Sequence, residues 1–456
     1  MTQQAAVTST IHGLVLQPDW LVPIESPAIQ EGYLVASAGT IEYLGAELPG
    51  RFHALPCIRL EKTAILPGWI NSHCHLEFSD LVEPISALGS FDGWLSRVIQ
   101  QRALVSSQSA EQRLEQRRYA IRQGLIESWK HGVRWIVDNV TAPWDPAWIS
   151  HLQSEMRSEI STLAASSLVP DALISVQPCF ELIDVREERW HQTHNFAFEQ
   201  IDAPKWQGVC SPSLAPHAPY TASTHVTRCA ADWSSENRGL VSMHLAESRE
   251  ELQWLDHRTG SLGAWIETKI DANHRSNIGT IDEHLRLLAS AWRSLVVHGN
   301  FLTKHQVDWL REHCERMAVV YCPRTHAWFH HPPYPLSDLK SQGIPVLLGT
   351  DSRASNPDLN LWEEVKEIAS RRAECEPSDL ARMITSDASR FLDIPRNIGR
   401  MKLGGATQLT AVRWDRSDGD GTAFRTEHEL WRWMMQYGVP YPLEMDNRFA
   451  LAAHRN

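Results

Sequence analysis

No apolar run in this chain approaches the ~20 residues that a membrane-spanning helix needs. The first residues, Met1-Thr2-Gln3-Gln4-Ala5-Ala6, have neither the basic start nor the apolar core of a secretory signal. There is no Lys/Arg-rich run, and the formal net charge is -12. Such a surface repels phosphate polymers, which argues against nucleic acid as a partner. Cysteine is sparse: eight residues, scattered, with no Cys-x-x-Cys pair. That pattern predicts reduced thiols and a cytoplasmic location, not a disulfide framework. No Gly-x-Gly-x-x-Gly follows a strand-like run, which weakens a dinucleotide-binding reading. There is no His-Glu-x-x-His of a zincin protease, no internal repeat and no low-complexity segment.

What the chain has is size and rhythm. Its 456 residues, 43% hydrophobic and 21% charged, suit one barrel-sized domain with a smaller companion. Residues 1 to about 61 alternate short β-like runs with turn signals: Leu14-Val15-Leu16, Tyr33–Ala36 and Thr40–Leu44. From residue 62 to about 396, strand-like runs alternate with longer helical stretches. The candidate strands are Ala64–Ile70, Val133–Asn139, Ala172–Cys179, Gly208–Ser213, Leu240–His244, Leu295–His298, Ala318–Cys322 and Pro345–Gly349. The clearest helix spans Ser109–His131 and is closed by Gly132 at a C′-like position. Eight such alternations predict an α/β fold, a (β/α)8 barrel of the TIM type, with an open doubly wound sheet as the alternative. Residues 397–456 return to a β-like run, Gln408–Arg413, and a short Trp/Met-rich helix. They are expected to join residues 1–61 in a small β-sandwich. The 19 tryptophans read as core and helix-packing residues.

The chain is organised around Pro67-Gly68-Trp69-Ile70-Asn71-Ser72-His73-Cys74-His75. In extended backbone, residues i and i+2 face one side, so His73 and His75 can present two imidazoles to one point. In a barrel, functional side chains sit at the C-terminal ends of strands. The residues that close the strands are therefore the ones that can meet in a site. Strand five leads to His244 and Glu247, strand six to His298, strand eight to Asp351, and His217 follows strand four. Each placement alone is ordinary for a chain with 22 histidines; together they predict a metal site. One lookalike falls away. His75-Leu76-Glu77 has the His-x-Glu of cytidine-deaminase-type enzymes, but Pro178-Cys179 continues as Phe180-Glu181-Leu182, without the second cysteine.

Four motifs carry a resemblance: Pro67-Gly68-x-x-Asn71-x-His73-x-His75, His244-x-x-Glu247, His298-Gly299, and Gly349-Thr350-Asp351-Ser352-x-x-Ser355-Asn356. In order and spacing they resemble the amidohydrolase superfamily, in its deaminase and chlorohydrolase branch. The resemblance implies a (β/α)8 barrel beside a small sandwich built from both termini. It implies one divalent metal on His73, His75, His244 and Asp351, with Zn2+ first and Fe2+ second; three neutral imidazoles and a carboxylate suit either. Relatives with two metals carry a bridging lysine or glutamate on a middle strand; strands three and four here hold no lysine, so a single metal is expected. The catalytic set implied is Glu247 for proton transfer, His298 for stabilising developing charge, and Asp351. His217 resembles the family's substrate-contacting histidine. Glu77, Arg324, His326 and Arg353 are the further candidates for substrate contact, Glu77 also as a brace behind a ligand.

The expected chemistry is hydrolytic removal of an exocyclic amine from an aminopurine or nucleoside-like ring. Leu76-Glu77-Phe78-Ser79 and Cys322-Pro323-Arg324-Thr325-His326 most resemble the aminodeoxyfutalosine deaminases. Triazine-type chlorohydrolases and cyclic-amide hydrolases resembling imidazolonepropionase are the alternatives. The expected partner is a small molecule, with a homodimer as the expected assembly if there is one.

Overall fold

The computed structural model describes residues 13–87, 89–106, 109–161, 172–202, 211–414, 424 and 426–445. Two sheets organise them. The terminal sheet takes β1 (Leu14–Leu21), β2 (Ile29–Gln30), β3 (Tyr33–Ser37), β4 (Thr40–Gly45) and β5 (Cys57–Pro67). The barrel follows with β6 (Trp69–Cys74), β7 (Val133–Val140), β8 (Ser175–Leu182), β9 (Ser213–Pro216), β10 (Leu240–Leu245), β11 (Arg293–His298), β12 (Met317–Tyr321) and β13 (Val346–Leu348). The chain then returns to the terminal sheet with β14 (Leu409–Arg413) and β15 (Val439–Pro442).

The eight barrel strands are parallel and pair in sequence order, β6 to β13. Closure comes from Asp351, whose N–H donates to the His73 carbonyl at 3.1 Å, in a parallel bridge between Cys74 and Asp351. The open-sheet alternative is thereby set aside. Along each strand the side chains alternate. On β7, Trp135 and Val137 point into the barrel with Val297 and Val320, while Ile136 packs outward against the helices. Phe391, Ile394 and Ile398 plug the lower end. The interior is a packed core, so chemistry is confined to the opposite end.

The helix expected at Ser109–His131 spans Ala110–Lys130. Ser109 caps it, accepting from Gln112 N, and Gln112 reaches back in a capping box. Gly132 takes a left-handed φ of 88°, as a C′ glycine does.

Three strand expectations shift. The run Ala64–Ile70 is two strands. β5 pairs with β1 and β14 in the terminal sheet through Pro67, so the expected boundary at 61/62 falls inside it. Pro67-Gly68 is the hinge between that strand and the first barrel strand. A Cβ on Gly68 would sit 2.5 Å from the Gln408 carbonyl oxygen, so glycine is required where the two sheets meet. Strand three runs Ser175–Leu182, three residues later than expected. The first half of the run Gly208–Ser213 lies outside the described residues, and the strand there is Ser213–Pro216. No helix among the described residues is long and apolar enough to cross a membrane.

Candidate metal centre and active site

His73 is on β6 and His75 one step beyond it; His244 is on β10 and His298 ends β11. Asp351 follows β13. All five are buried. The Nε2 atoms of His75 and His244 are 3.2 Å apart. Asp351 Oδ1 lies 3.7 Å from Nε2 of both His73 and His75. Candidate ligand atoms of His73, His75 and Asp351 lie within 4.8 Å of one another, and so do those of His73, His244 and His298.

Local backbone explains the convergence. Asn71 donates its amide to Thr350 Oγ1 at 2.8 Å and accepts the Thr350 N–H at 3.1 Å. This staples β6 to the end of β13, the motif residues flanking the histidines and the aspartate. Asp351, His298 and Ala246 all hold left-handed φ values of 57°, 71° and 53°. Such strain at strand ends aims side chains that an ordinary strand would turn away. The Asp351 carboxylate is fixed by the Ser352 N–H at 2.7 Å and the Ser355 hydroxyl at 2.9 Å.

The donor set fits a cation. His244 Nδ1 bonds the His217 carbonyl at 2.8 Å. A carbonyl only accepts, so the proton is on Nδ1 and Nε2 offers a lone pair. Both ring nitrogens of His73, Nδ1 of His75 and Nε2 of His298 are buried without a hydrogen-bond partner, an arrangement that is costly unless something else fills it. Burial, then His73, holds His75 neutral well below the usual histidine range and lowers His244 to about 3. Burial would raise Asp351, but the neighbouring histidines, His73 first, pull it well below a normal carboxylate. Neutral imidazoles and an ionised carboxylate are the ligand forms a metal requires.

Glu247 Oε1 is 3.5 Å from His298 Nε2. Burial, then Asp351 and Glu251, push Glu247 well above the usual glutamate range. His217, lowered to about 3 by burial and then Arg102, is pinned through Nδ1 to the Thr221 hydroxyl at 2.5 Å. Above these groups opens a cavity of about 290 Å3 walled by Phe91, Trp94, Val98 and Trp265.

The other expected contacts stand elsewhere. Arg324 pairs with both oxygens of Asp358, at 2.6 and 3.0 Å. Arg353 pairs with both oxygens of Glu127, at 2.8 and 2.9 Å, and with the Leu81 carbonyl. His326 packs on the rings of Tyr321 and Tyr334. None of the three lines the cavity. They hold the loops after strands seven and eight to each other and to the neighbouring helices. Glu77 is buried beside the cavity, engaged by Arg102, Arg117 and the Thr141 hydroxyl.

Several cavity residues escaped the sequence reading: Arg102, Glu181, Arg189, Lys269 and the aromatic wall. The strand-end rule would have found Glu181. Ending strand three at Cys179 stopped two residues short of it. The helical and loop cations carry no motif and are placed only by tertiary packing.

A sequence model of the amidohydrolase family matches residues 64–420. This chain belongs to the amidohydrolase family. It is 24% identical over 312 residues to the aminodeoxyfutalosine deaminase of Nitratiruptor sp., covering 67% of each chain. Among solved structures, it resembles the aminofutalosine deaminase of Helicobacter pylori in complex with methylthio-coformycin. The TM-score is 0.73 at 18% identity, over 94% of this chain and 97% of that one. It also resembles a zinc-bound adenosine deaminase from Xanthomonas campestris, with a TM-score of 0.70 at 18% identity over 97% of each chain. The shared fold is thus the amidohydrolase barrel, and the His/Asp cluster of this member stands at its strand ends as a site able to hold a divalent metal.

Proposed function

We propose that the chain is a metal-dependent hydrolytic deaminase of an aminopurine or nucleoside-like ring. The observation that carries this reading is the meeting of His73, His75, His244 and Asp351 with the Glu247–His298 pair on the floor of an aromatic-walled cavity. The relatives' names, aminodeoxyfutalosine and adenosine deaminase, support the substrate class.

Those four residues would hold one divalent ion, zinc first and iron second; both groups of candidate ligand atoms share His73, which favours a single centre. When bound, the ion would supply a Lewis acid that lowers the pKa of the attacking water toward 7. Glu247 would take a proton from that water and deliver it to the ring nitrogen beside the amine-bearing carbon. Burial makes it a carboxylate able to keep the proton between the two transfers. His298 would orient the water and offset charge on the developing oxygen. Collapse of the tetrahedral carbon, with a second proton passed to the amine, releases ammonia. His217, held neutral, would contact the ring edge. Glu77 would act from behind the cavity, keeping the Phe78 and Arg102 wall in place.

The test is release of ammonia by the zinc-loaded protein from adenosine, 5′-methylthioadenosine, aminodeoxyfutalosine and guanine, beside a chlorotriazine and a hydantoin. Ammonia from the adenosine derivatives is expected. Chloride release from the triazine, or ring opening of the hydantoin, without ammonia from any purine would overturn the reading.

A further inference from the structure

We infer that His274 is a positioning residue for the substrate cavity: as a buried imidazolium it clasps the wall formed after strand five onto the loops after strands three and four. The inference rests on the reading of that cavity as the substrate site and names what holds its wall in place.

After strand five the chain runs through two short helices, Ser261–Ile266 and Ala272–Asn277. Trp265, Ile266 and Lys269 of this segment line the cavity above the histidine cluster. The segment is docked on four consecutive residues that follow strand three. Asp184 pairs with His274 at 2.9 Å, and the Val185 carbonyl accepts the Asp271 N–H at 3.0 Å. Arg186 donates to the Lys269 and Thr268 carbonyls at 2.8 and 3.2 Å, and the Glu187 N–H donates to Asp271 at 3.2 Å. The contacts of Arg186 and Glu187 are exposed to solvent. The His274 ring is fully buried.

The two partners of that ring fix its protonation. Nδ1 lies 2.9 Å from Asp184 Oδ1, and Nε2 lies 3.3 Å from the Tyr220 carbonyl oxygen. Burial would raise Asp184, but His274 and then Ser223 hold it below the usual carboxylate range, so it is an acceptor. A carbonyl only accepts. Both ring nitrogens therefore donate, and only the imidazolium has two N–H groups. A neutral ring would turn a lone pair toward one of the two acceptors, which is costly in a buried site.

One cation thus joins three loops. Asp184 also accepts from the Ser223 N–H at 2.9 Å and from the Ser223 hydroxyl, and its own N–H donates to the Thr221 carbonyl at 3.0 Å. Tyr220 and Thr221 line the cavity, and Thr221 pins His217. The titratable groups around His274 are Asp184, Asp271 at the cap of its own helix, and His284 with Glu283 on the helix Ile281–Leu288. His284 is lowered to about 4 by burial and stays neutral near pH 7. The clasp is closed while the His274 ring carries both protons, and it loosens as rising pH removes one.

Glutamine copies the neutral ring, with one donor beside one acceptor. The experiment is hydrogen exchange read by mass spectrometry on the zinc-loaded protein at about pH 6 and about pH 9, with rates corrected for intrinsic exchange. In the parent, amides of residues 261–277 should exchange about tenfold faster or more at the higher pH, while those of the barrel strands hold. His274→Gln should show the faster exchange at both pH values. At the lower pH its KM for 5′-methylthioadenosine should rise about tenfold, with a smaller change in kcat, because a wall in place about a tenth of the time lowers apparent affinity by that factor. Parental exchange in the Gln variant, or exchange in the parent that ignores pH, overturns the clasp. Equal loosening of the barrel strands also overturns it, since the residue would then support the fold at large. Loosening confined to 261–277, with no ammonia from any purine in the parent, keeps the clasp and removes the deaminase reading. Ammonia release with a segment that ignores pH does the reverse.

Discussion

The backbone N–H of Glu247 donates to the carboxylate of Glu251 at 2.6 Å. The same carboxylate accepts from Ala246 at 3.2 Å and closes the capping box with Ser248. Three consecutive N–H groups thus converge on one buried side chain, and they belong to the turn that aims Glu247. Glu251→Ala would leave them without an acceptor. Stability should fall by about 1–3 kcal/mol. The turnover number should fall about tenfold with metal content unchanged, because misplacement of a reacting group by an ångström is costly. Initial rates and metal analysis check this. A less stable variant with full turnover would restrict Glu251 to helix capping.

Glu247→Gln should fold and keep its metal, yet lose turnover by roughly 10²–10⁴-fold, the range of a general acid–base group. Glutamine preserves size but takes no proton at neutral pH. Near-normal turnover with retained zinc would remove Glu247 from the chemistry.

Metal analysis of the purified protein should return about one divalent ion per chain. His73→Ala or Asp351→Ala should lose it, because each takes an atom from a cluster whose members lie within 4.8 Å. Two tightly bound ions per chain, or none after zinc loading, would refute the single centre.

The fold and the centre of the site were legible for a physical reason. Strand periodicity, turn residues and strand-end histidines are local signals, and in a barrel every strand end points to one place. Asn71, Thr350 and Gly349 were readable as motif residues before their stapling role was visible. The periphery was not legible. Arg324 and Arg353 sit after the correct strands, but a sequence does not say whether an arginine faces a ligand or a neighbouring carboxylate. Here Asp358 and Glu127 take them. Glu181 was missed through a boundary error in a short apolar run, and Arg189 lies on a helix whose orientation is set by contacts far along the chain.

Glu364 carries a prediction about pH. It is fully buried and accepts from the Arg324 N–H at 2.8 Å and the Asn356 amide at 2.6 Å. Burial raises it to about 8, against the lowering effect of Arg324. An unfolded glutamate titrates near 4.3. The folded state therefore holds a proton that the unfolded chain releases. The stabilisation is complete below the unfolded value and is lost as pH rises through the folded one. Glu364→Gln does not titrate. Relative to the parent it should be more stable at about pH 8 than at about pH 5, measured by urea midpoints. An identical difference at both values would show that Glu364 is ionised in the fold.

Gly349 sets the distance between the two ends of the metal cluster. A Cβ there would lie 2.8 Å from both the Cβ and the carbonyl oxygen of His73, and 3.0 Å from its backbone nitrogen. These are atoms of a barrel strand, and the His73 carbonyl also accepts the Asp351 N–H that closes the barrel. No flexible side chain can swing away, so the strand itself must shift. Overpacking of this kind costs about 1–3 kcal/mol. The displacement falls on the residue shared by both groups of candidate ligand atoms, where positioning within about 0.5 Å matters. Gly349→Ala should therefore lower both thermal stability and zinc affinity. Gly50→Ala is the control, because nothing lies within 4 Å of a Cβ at that position. It should leave zinc binding unchanged. Full zinc affinity in Gly349→Ala would mean that the barrel absorbs the methyl group without moving His73.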